Sequence, residues 1–264
     1  MIYKKAFHKN NPVSFTLFEL ILFLILGILL NIILSNTILN NIPYINGIIV
    51  ELVLGLLALV LMIRLGLFES RMFSGENLFL GLKLGFFIIF SGFIQFLIYL
   101  YLNINTPFSI NLFSLAASVF YSFSIGFYEE VFMRGLLLQN LVKNYDKGVF
   151  NAVILSSLIF GLAHLINILH APLFDTIVQV IYSMTAGLLF GVVFIKSKNL
   201  LSIIILHGVF NLFTYFTVNL YSTNFISYNL NTYPSIYILF NLFIIIGNLI
   251  FGFYLFKRCL ILYF

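Results

Sequence analysis

Glu129 and Glu130 are adjacent, and Arg134 follows one helical turn after Glu130, inside a stretch that otherwise has the composition of a membrane-spanning helix. An ionised side chain at the bilayer centre costs about 2.5 to 3.5 kcal/mol, so packing alone does not explain three of them. Glu130 and Arg134 share a helix face in the order that favours an ion pair, whereas Glu129 is rotated by about 100°. Glu129 is therefore the freer carboxylate and the candidate general base. A purely structural ion pair would explain Glu130 and Arg134 but not Glu129.

Two other apolar segments carry polar residues at the spacing of one helical turn. His164 follows Phe160 by four residues, and Asn211 follows His207 by four residues. A single histidine within the membrane is often a packed, hydrogen-bonded residue. Two histidines, an asparagine and a spare carboxylate are more typical of a functional site, where an imidazole can move protons and an amide N–H can stabilise a developing negative oxygen.

The depths of these polar residues agree with one buried cavity. A helix rises about 1.5 Å per residue, and the lysines between apolar segments mark one edge of the membrane. Counted from the nearest lysine, the upper limits of depth are about 21 Å for Glu129, 25 Å for His164, 13 Å for His207 and 20 Å for Asn211. All four values fit within a hydrocarbon core about 30 Å thick.

Three motifs, EExxxR at Glu129–Arg134, FxxxH at Phe160–His164 and HxxxN at His207–Asn211, occur in this order on successive helices. They resemble the CPBP family, which contains the type II CAAX prenyl endopeptidases and the bacteriocin-processing or Abi proteins. The resemblance covers about residues 110–215. Many relatives carry a tryptophan ahead of the last histidine; this chain has no tryptophan, although every motif position is filled.

The resemblance implies an intramembrane endopeptidase that acts on a peptide or protein substrate, prenylated tails included. It implies that Glu129 with His164 activates a water and that His207 with Asn211 stabilises the oxyanion of the tetrahedral intermediate. Glu130 and Arg134 then have a supporting role as an ion pair. The chemistry of the residues agrees, because a carboxylate and an imidazole can share the proton of a water.

The same residue types leave the question of a metal open. Histidines and glutamates are adequate zinc ligands, and the family is described both as metalloproteases and as glutamate-type proteases. A metal site would use Glu129, His164 and His207. The HExxH motif of zinc proteases is absent, Glu130 is committed to Arg134, and asparagine is a poor zinc ligand. We therefore expect no cofactor, with a divalent metal such as zinc as the alternative.

The elements that position these residues are predicted to be membrane-spanning helices. Of 264 residues, 62% are hydrophobic and only 8% are charged, against about 25% charged in an ordinary soluble domain. Apolar segments of about 20 residues predict eight spans in an all-α, polytopic helical bundle. Their limits are about 14–35, 44–63, 84–102, 112–142, 148–168, 173–195, 200–221 and 234–256. We predict a single transmembrane domain over residues 1–264.

The basic residues predict the orientation of the bundle. Twelve of the thirteen lysines and arginines fall on alternate connections and the two termini, and only Arg134 lies within a span. The positive-inside rule then predicts a multi-pass integral membrane protein with both termini in the cytoplasm. Basic residues scattered in this way form no stripe that could bind nucleic acid. We expect the substrate to reach the cavity from the lipid or the cytoplasmic side.

Two other classes of function remain open at this stage. One is a catalytically quiet membrane protein that binds a peptide, for example in bacteriocin immunity; it would use the same cavity. The other is a transporter, which would favour broken helices and an internal repeat that we do not find. A binder or a transporter should tolerate Glu129→Gln, whereas a protease should not.

Several other polar residues within the spans are not assigned a catalytic role. Glu19 and Glu51 either line the cavity or pair with neighbouring tyrosines and asparagines. Gln95, Asn167 and Gln179 are predicted to be hydrogen-bond partners between helices.

Overall fold

The computed structural model describes residues 7–221 and 234–260, and in this part of the chain it contains helices and no β-strand. The predicted all-α class is therefore confirmed. Lys4, Lys5 and the predicted connection 222–233 lie outside the described residues. The α-helices are α1 (Pro12–Ser35), α2 (Ile45–Arg64), α3 (Leu78–Leu84), α4 (Phe86–Leu102), α5 (Leu112–Glu130), α6 (Gln139–Asn144), α7 (Gly148–Ala163), α8 (Leu173–Ser197), α9 (Leu200–Tyr221) and α10 (Pro234–Leu260).

Six of the described helices are long and apolar enough to cross a membrane, and a seventh span results if α3 and α4 are counted together. These two helices are bent by 56° at Gly85, where an added Cβ would collide with the side chain of Leu206. The predicted count of eight is therefore approximate. Among the described helices of 18 residues or more, α5 lies outside this set, because its serines, tyrosines and two glutamates lower its mean hydropathy.

The polar contacts between connections define two ends of the bundle. At the first end, Asn199 donates hydrogen bonds to the carbonyls of Ser74 and Glu76, and Lys143 donates to the carbonyl of Gly66. At the second end, the backbone N–H of Ser109 donates to Leu220. The first end carries the basic connections 65–77, 143–148 and 196–199, and we call it the basic end. The second, formed by 36–44, 103–111 and 164–172, has no lysine or arginine, and we call it the neutral end.

A π-helical segment, Val131–Leu138, joins α5 to α6 without a break, and all of its residues are buried. Its wider turn follows directly after the two glutamates; such π turns within α-helices are frequent at functional sites. Around it pack fully buried apolar side chains from other elements, including Met62, Leu141 and Leu200. The helix that carries Glu129 and Glu130 is thus anchored in the buried apolar core.

Glu69 links two connections at the basic end. Its carboxylate accepts hydrogen bonds from Arg71 Nε at 2.8 Å and Gln139 Nε2 at 3.1 Å, and Lys143 Nζ lies 3.7 Å away. Burial raises the pKa of Glu69, but the hydrogen bond from Arg71 and the positive charges of Arg71, Lys143 and Lys198 outweigh burial. The pKa of Glu69 therefore lies below its ordinary value of 4.5.

We expect Glu69→Gln to lower the free energy of unfolding by up to about 1 kcal/mol at neutral pH, as for a partly exposed ion pair. A carboxylate whose pKa is lowered by folding stabilises the protein above its ordinary pKa, and this stabilisation disappears as the pH falls through the lowered value. Wild type and variant should therefore differ in thermal unfolding in detergent at neutral pH and converge in acid. Glu76 lies in the same connection and makes no ion pair with a described residue, so Glu76→Gln is the matched control. Equal pH dependence of the two variants would contradict the prediction.

Candidate active site

Glu130 lies at the centre of a buried polar cluster that connects α5, the π-helical segment and α9. Its Oε1 accepts a hydrogen bond from Arg134 Nη1 at 3.0 Å and a second from His207 Nδ1 at 2.7 Å. Glu130 and Arg134 are almost completely inaccessible. The ion pair predicted from the spacing of one turn is therefore present. Its extension to His207, 77 residues away in the chain, was not predicted.

Arg134 is enclosed by aromatic rings and one backbone carbonyl. Its guanidinium carbon lies 4.5 Å from the ring centroid of Phe160 and 5.1 Å from that of Phe190. Its Nη2 donates to the carbonyl of Gly187 at 3.4 Å. A charge without water is stabilised by such a cation–π pair and by a carboxylate partner. Phe160, the first residue of the FxxxH motif, therefore contacts both Arg134 and His164.

Glu129 differs from its neighbour in both exposure and partners. A quarter of its side chain is exposed, and its Oε2 lies 3.8 Å from Nε2 of His207, too far for a hydrogen bond. The His207 ring stacks on Phe190 with an interplanar angle of 22°, which fixes its orientation. The two nitrogens of His207 thus face different carboxylates, Nδ1 the buried Glu130 and Nε2 the accessible Glu129.

His164 lies where α7 ends and a short 3₁₀ turn, His164–Leu169, begins. Its Nδ1 is 2.9 Å from the carbonyl oxygen of Phe160, and its ring meets the Phe160 ring edge-on at 5.1 Å. A carbonyl can only accept a hydrogen bond, so Nδ1 carries the proton. In the neutral imidazole, Nε2 is then left with a free lone pair.

A cavity of about 430 Å³ brings together the four residues predicted to be catalytic: Glu129, His164, His207 and Asn211. Glu130 and Arg134 do not line this cavity. The wall comes from α1, α2, α5, the π-helical segment, α7, the 3₁₀ turn after it, α8 and α9.

The structure also separates the polar residues that the sequence left undecided. Glu51 lines the cavity, and its Oε2 is buried without a hydrogen-bond partner among the described residues. Glu19 is buried in α1 but does not line the cavity. Asn167 donates to Gln179 at 2.9 Å, which confirms the predicted bond between helices, and both residues border the cavity.

Tyrosines form a part of the wall that sequence reasoning missed. Tyr215 follows Asn211 by one turn on α9, and Tyr121 and Tyr128 precede Glu129 on α5. The signal was available for Tyr215 and Tyr121, because residues four or eight positions from a site residue lie near the same face of a helix. Extending the motifs by one or two turns would have identified these two side chains, whereas Tyr128 is adjacent to Glu129 in the chain.

Close packing of α5 against α9 sets the distance between the glutamates and His207. A Cβ added at Gly126 would lie 2.9 Å from the carbonyl oxygen of Ile204 and 3.0 Å from the backbone nitrogen of Gly208. A side chain at Gly208 would collide with the ring of Phe123. The two helices therefore approach backbone to backbone one turn away from the site, which allows the 2.7 Å bond between Glu130 and His207.

The alternative metal site would consist of Glu129, His164 and His207. Among residues 7–221 and 234–260, no group of three or more histidine, cysteine, aspartate or glutamate side chains could hold an ion. Nδ1 of His207 is bound to Glu130 and Nδ1 of His164 to a carbonyl, so Nε2 is the nitrogen of each ring that could bind an ion. Because the described side chains bring no three such ligands together, Glu129, His164 and His207 do not fit a preformed metal site.

A comparison with protein families matches residues 111–213 to the family described as Type II CAAX prenyl endopeptidase Rce1-like. The matched segment runs from the start of α5 to beyond Asn211 and contains all three motifs. It agrees with the segment 110–215 that the motifs indicated. No curated protein matches the chain. The match supports an assignment to the CPBP family of intramembrane proteases and a general activity as a CAAX-type intramembrane endopeptidase.

Proposed function

We propose that this chain, a CPBP family intramembrane protease by its Rce1-like segment, hydrolyses a peptide bond with a water activated by Glu129 and His164. The observation that carries the proposal is that Glu129, His164, His207 and Asn211 line one cavity although they come from three separate helices or their ends. A water in this cavity would have a carboxylate, an imidazole and an amide around it.

The contacts of the two glutamates support a division of roles. Glu130 accepts hydrogen bonds from Arg134 and His207 and is inaccessible to water, so it holds its neighbours in place. Glu129 is accessible from the cavity and has no hydrogen bond to either. A general base must reach the proton that it removes, and of the two glutamates only Glu129 can reach a water in the cavity. His164 offers the lone pair of Nε2 as a second acceptor, because its Nδ1 proton is bound to Phe160.

The oxyanion would be stabilised by Asn211 and His207. The Asn211 amide can donate its N–H groups to a substrate oxygen. Nδ1 of His207 donates to the Glu130 carboxylate, which is ionised beside Arg134 and can only accept. Nε2 therefore carries a proton for the oxyanion only when His207 is an imidazolium.

With His207 in this form, the charges of the cluster balance. With His207 charged, Glu129 and Glu130 carry two negative charges, and Arg134 and His207 carry two positive charges. When water adds to the substrate carbonyl, its proton passes to Glu129, and the negative charge that Glu129 loses appears on the oxyanion. Collapse of the intermediate breaks the C–N bond, and the proton on Glu129 passes to the leaving nitrogen. Net charge in the low-dielectric site is thus unchanged during the step, which avoids a large electrostatic cost.

The test is cleavage by the purified protein in detergent of a peptide pool that includes prenylated C-terminal tails, with products identified by mass spectrometry. A glutamate-type mechanism predicts that a chelator leaves cleavage unchanged. Loss of cleavage with the chelator and its return with zinc would assign the reaction to a metal instead. The absence of any product would favour the catalytically quiet peptide binder.

We expect Asn211→Ala to lower kcat by about a hundredfold to a thousandfold and to leave KM nearly unchanged, because an oxyanion donor acts mainly in the transition state. Asn219→Ala on the same helix is the matched control. Asn219 donates to the Tyr44 hydroxyl and to the carbonyl of Tyr215 and does not line the cavity. The control should lose some stability but keep its kcat. An equal fall in kcat for both variants would contradict the assignment of Asn211.

A further inference from the structure

We infer that the substrate enters the cavity from the neutral end of the bundle, which is the extracytoplasmic face, and that it is an extended peptide segment presented on that face. The inference deepens the proposed function, because it names the side and the kind of substrate. It departs from our expectation of entry from the lipid or the cytoplasmic side.

The positions of the wall residues along their helices place the cavity near the neutral end. Asn31 lies four residues before the end of α1, and Glu51 lies six residues after the start of α2. His164 and Asn167 belong to the turn after α7, itself part of the neutral end. Gln179 lies six residues into α8, or about 9 Å from the start of that helix. Helices α1 and α7 end at the neutral end, and α2 and α8 begin there.

The opposite route is closed by the apolar core. The floor of the cavity includes Phe132 and Met133, the second and third residues of the π-helical segment. Beyond them, towards the basic end, Leu136, Leu137 and Leu138 are fully buried. This layer is packed against the ends of α2 and α9 at the basic end, through Met62 and Leu200. A peptide could reach Glu129 from the basic end only by displacing this layer.

The positive-inside rule assigns the two ends to the two sides of the membrane. The basic end carries Lys143, Lys147, Lys196 and Lys198 together with Arg71 of the 65–77 connection, whereas the neutral end has no described lysine or arginine. Such a bias orients the basic end towards the cytoplasm. The cavity therefore faces the other side.

The chemistry of the cavity mouth indicates its occupant. Asn31, Asn167 and Gln179 are polar residues at the neutral end of the wall, which favours a mouth filled with water over one filled with lipid chains. Within the cavity, Glu129 lines the wall and no described lysine or arginine does. A peptide segment with neutral or basic side chains complements the Glu129 carboxylate, whereas an acidic one is repelled.

Labelling of single cysteines tests the route without any need for activity. In a Cys259→Ser background, Ala163→Cys places a thiol in the cavity wall, Asn105→Cys marks the exposed neutral end and Glu76→Cys marks the exposed basic end. With a membrane-impermeant thiol reagent on intact cells, Ala163→Cys should be labelled together with Asn105→Cys, while Glu76→Cys should be labelled only in inverted vesicles. A membrane-permeant reagent controls for the presence of each thiol.

Three results would overturn the inference: labelling of Ala163→Cys only together with Glu76→Cys, labelling by the permeant reagent alone, or no labelling by either reagent. Cleavage of a peptide by oriented vesicles is a second test of the entry route. A membrane-impermeant basic peptide should be cut by right-side-out vesicles and not by inverted ones, and the reverse pattern would contradict the route. If neither type of vesicle cuts the peptide while the labelling pattern holds, the proposed function fails and the route stands.

Discussion

Glu129→Gln is expected to abolish cleavage, with a loss of about a hundredfold to ten-thousandfold in kcat, the usual contribution of a positioned general base. The glutamine has the same size and keeps a carbonyl oxygen towards His207, but it cannot take the proton of the water. Because Glu129 is partly exposed and makes no hydrogen bond with His207, the variant should fold and unfold at the temperature of the wild type. Initial rates and thermal unfolding in detergent are the measurements.

The control for this variant is Glu19→Gln, the same chemical change at a buried carboxylate in α1 that does not line the cavity. It should retain cleavage. Full activity of Glu129→Gln would transfer the role of base to another residue. A wild-type protein that binds the peptides without cutting them, and a variant that binds them equally well, would support the peptide-binding alternative.

Glu130→Gln is expected to have the largest effect on stability, a loss of about 3 to 5 kcal/mol in the free energy of unfolding. The substitution leaves the buried guanidinium of Arg134 without a carboxylate, in a place where water cannot replace it. It also weakens the acceptor for Nδ1 of His207, so that cleavage should be lost in whatever protein remains folded. Thermal unfolding and the yield of folded protein after purification measure the first effect.

A double variant separates the structural role of the pair from its role in the site. Glu130→Leu with Arg134→Met removes both charges, and replacing a buried ion pair by apolar residues is often neutral or stabilising. The double variant should therefore recover most of the lost stability, with a large coupling between the two positions in a double-mutant cycle. It should not recover cleavage, because His207 would still lack its partner. Recovery of cleavage would show that Glu130 serves packing alone.

Local spacing rules predicted much of the site. The pairing of Glu130 with Arg134, the separate direction of Glu129 and the shared face of His207 and Asn211 all follow from the period of one helix. The all-α class followed from hydropathy in the same way. The eight-span count was only approximate, because the helix bearing the glutamates is the least apolar of the long ones and because α3 and α4 meet at a bend.

What the sequence by itself determined is thus what each helix presents to its surroundings: its apolar length, its charged ends and the side chains that share a face. Only the tertiary structure decided which faces meet. The bond between His207 and Glu130, the place of Glu51 in the wall and the closed floor beneath Phe132 depend on how helices are rotated and shifted against one another. The physical reason is that rotation and shift are set by contacts between distant residues, such as Gly126 against the backbone of Gly208, which no periodicity within a single helix encodes.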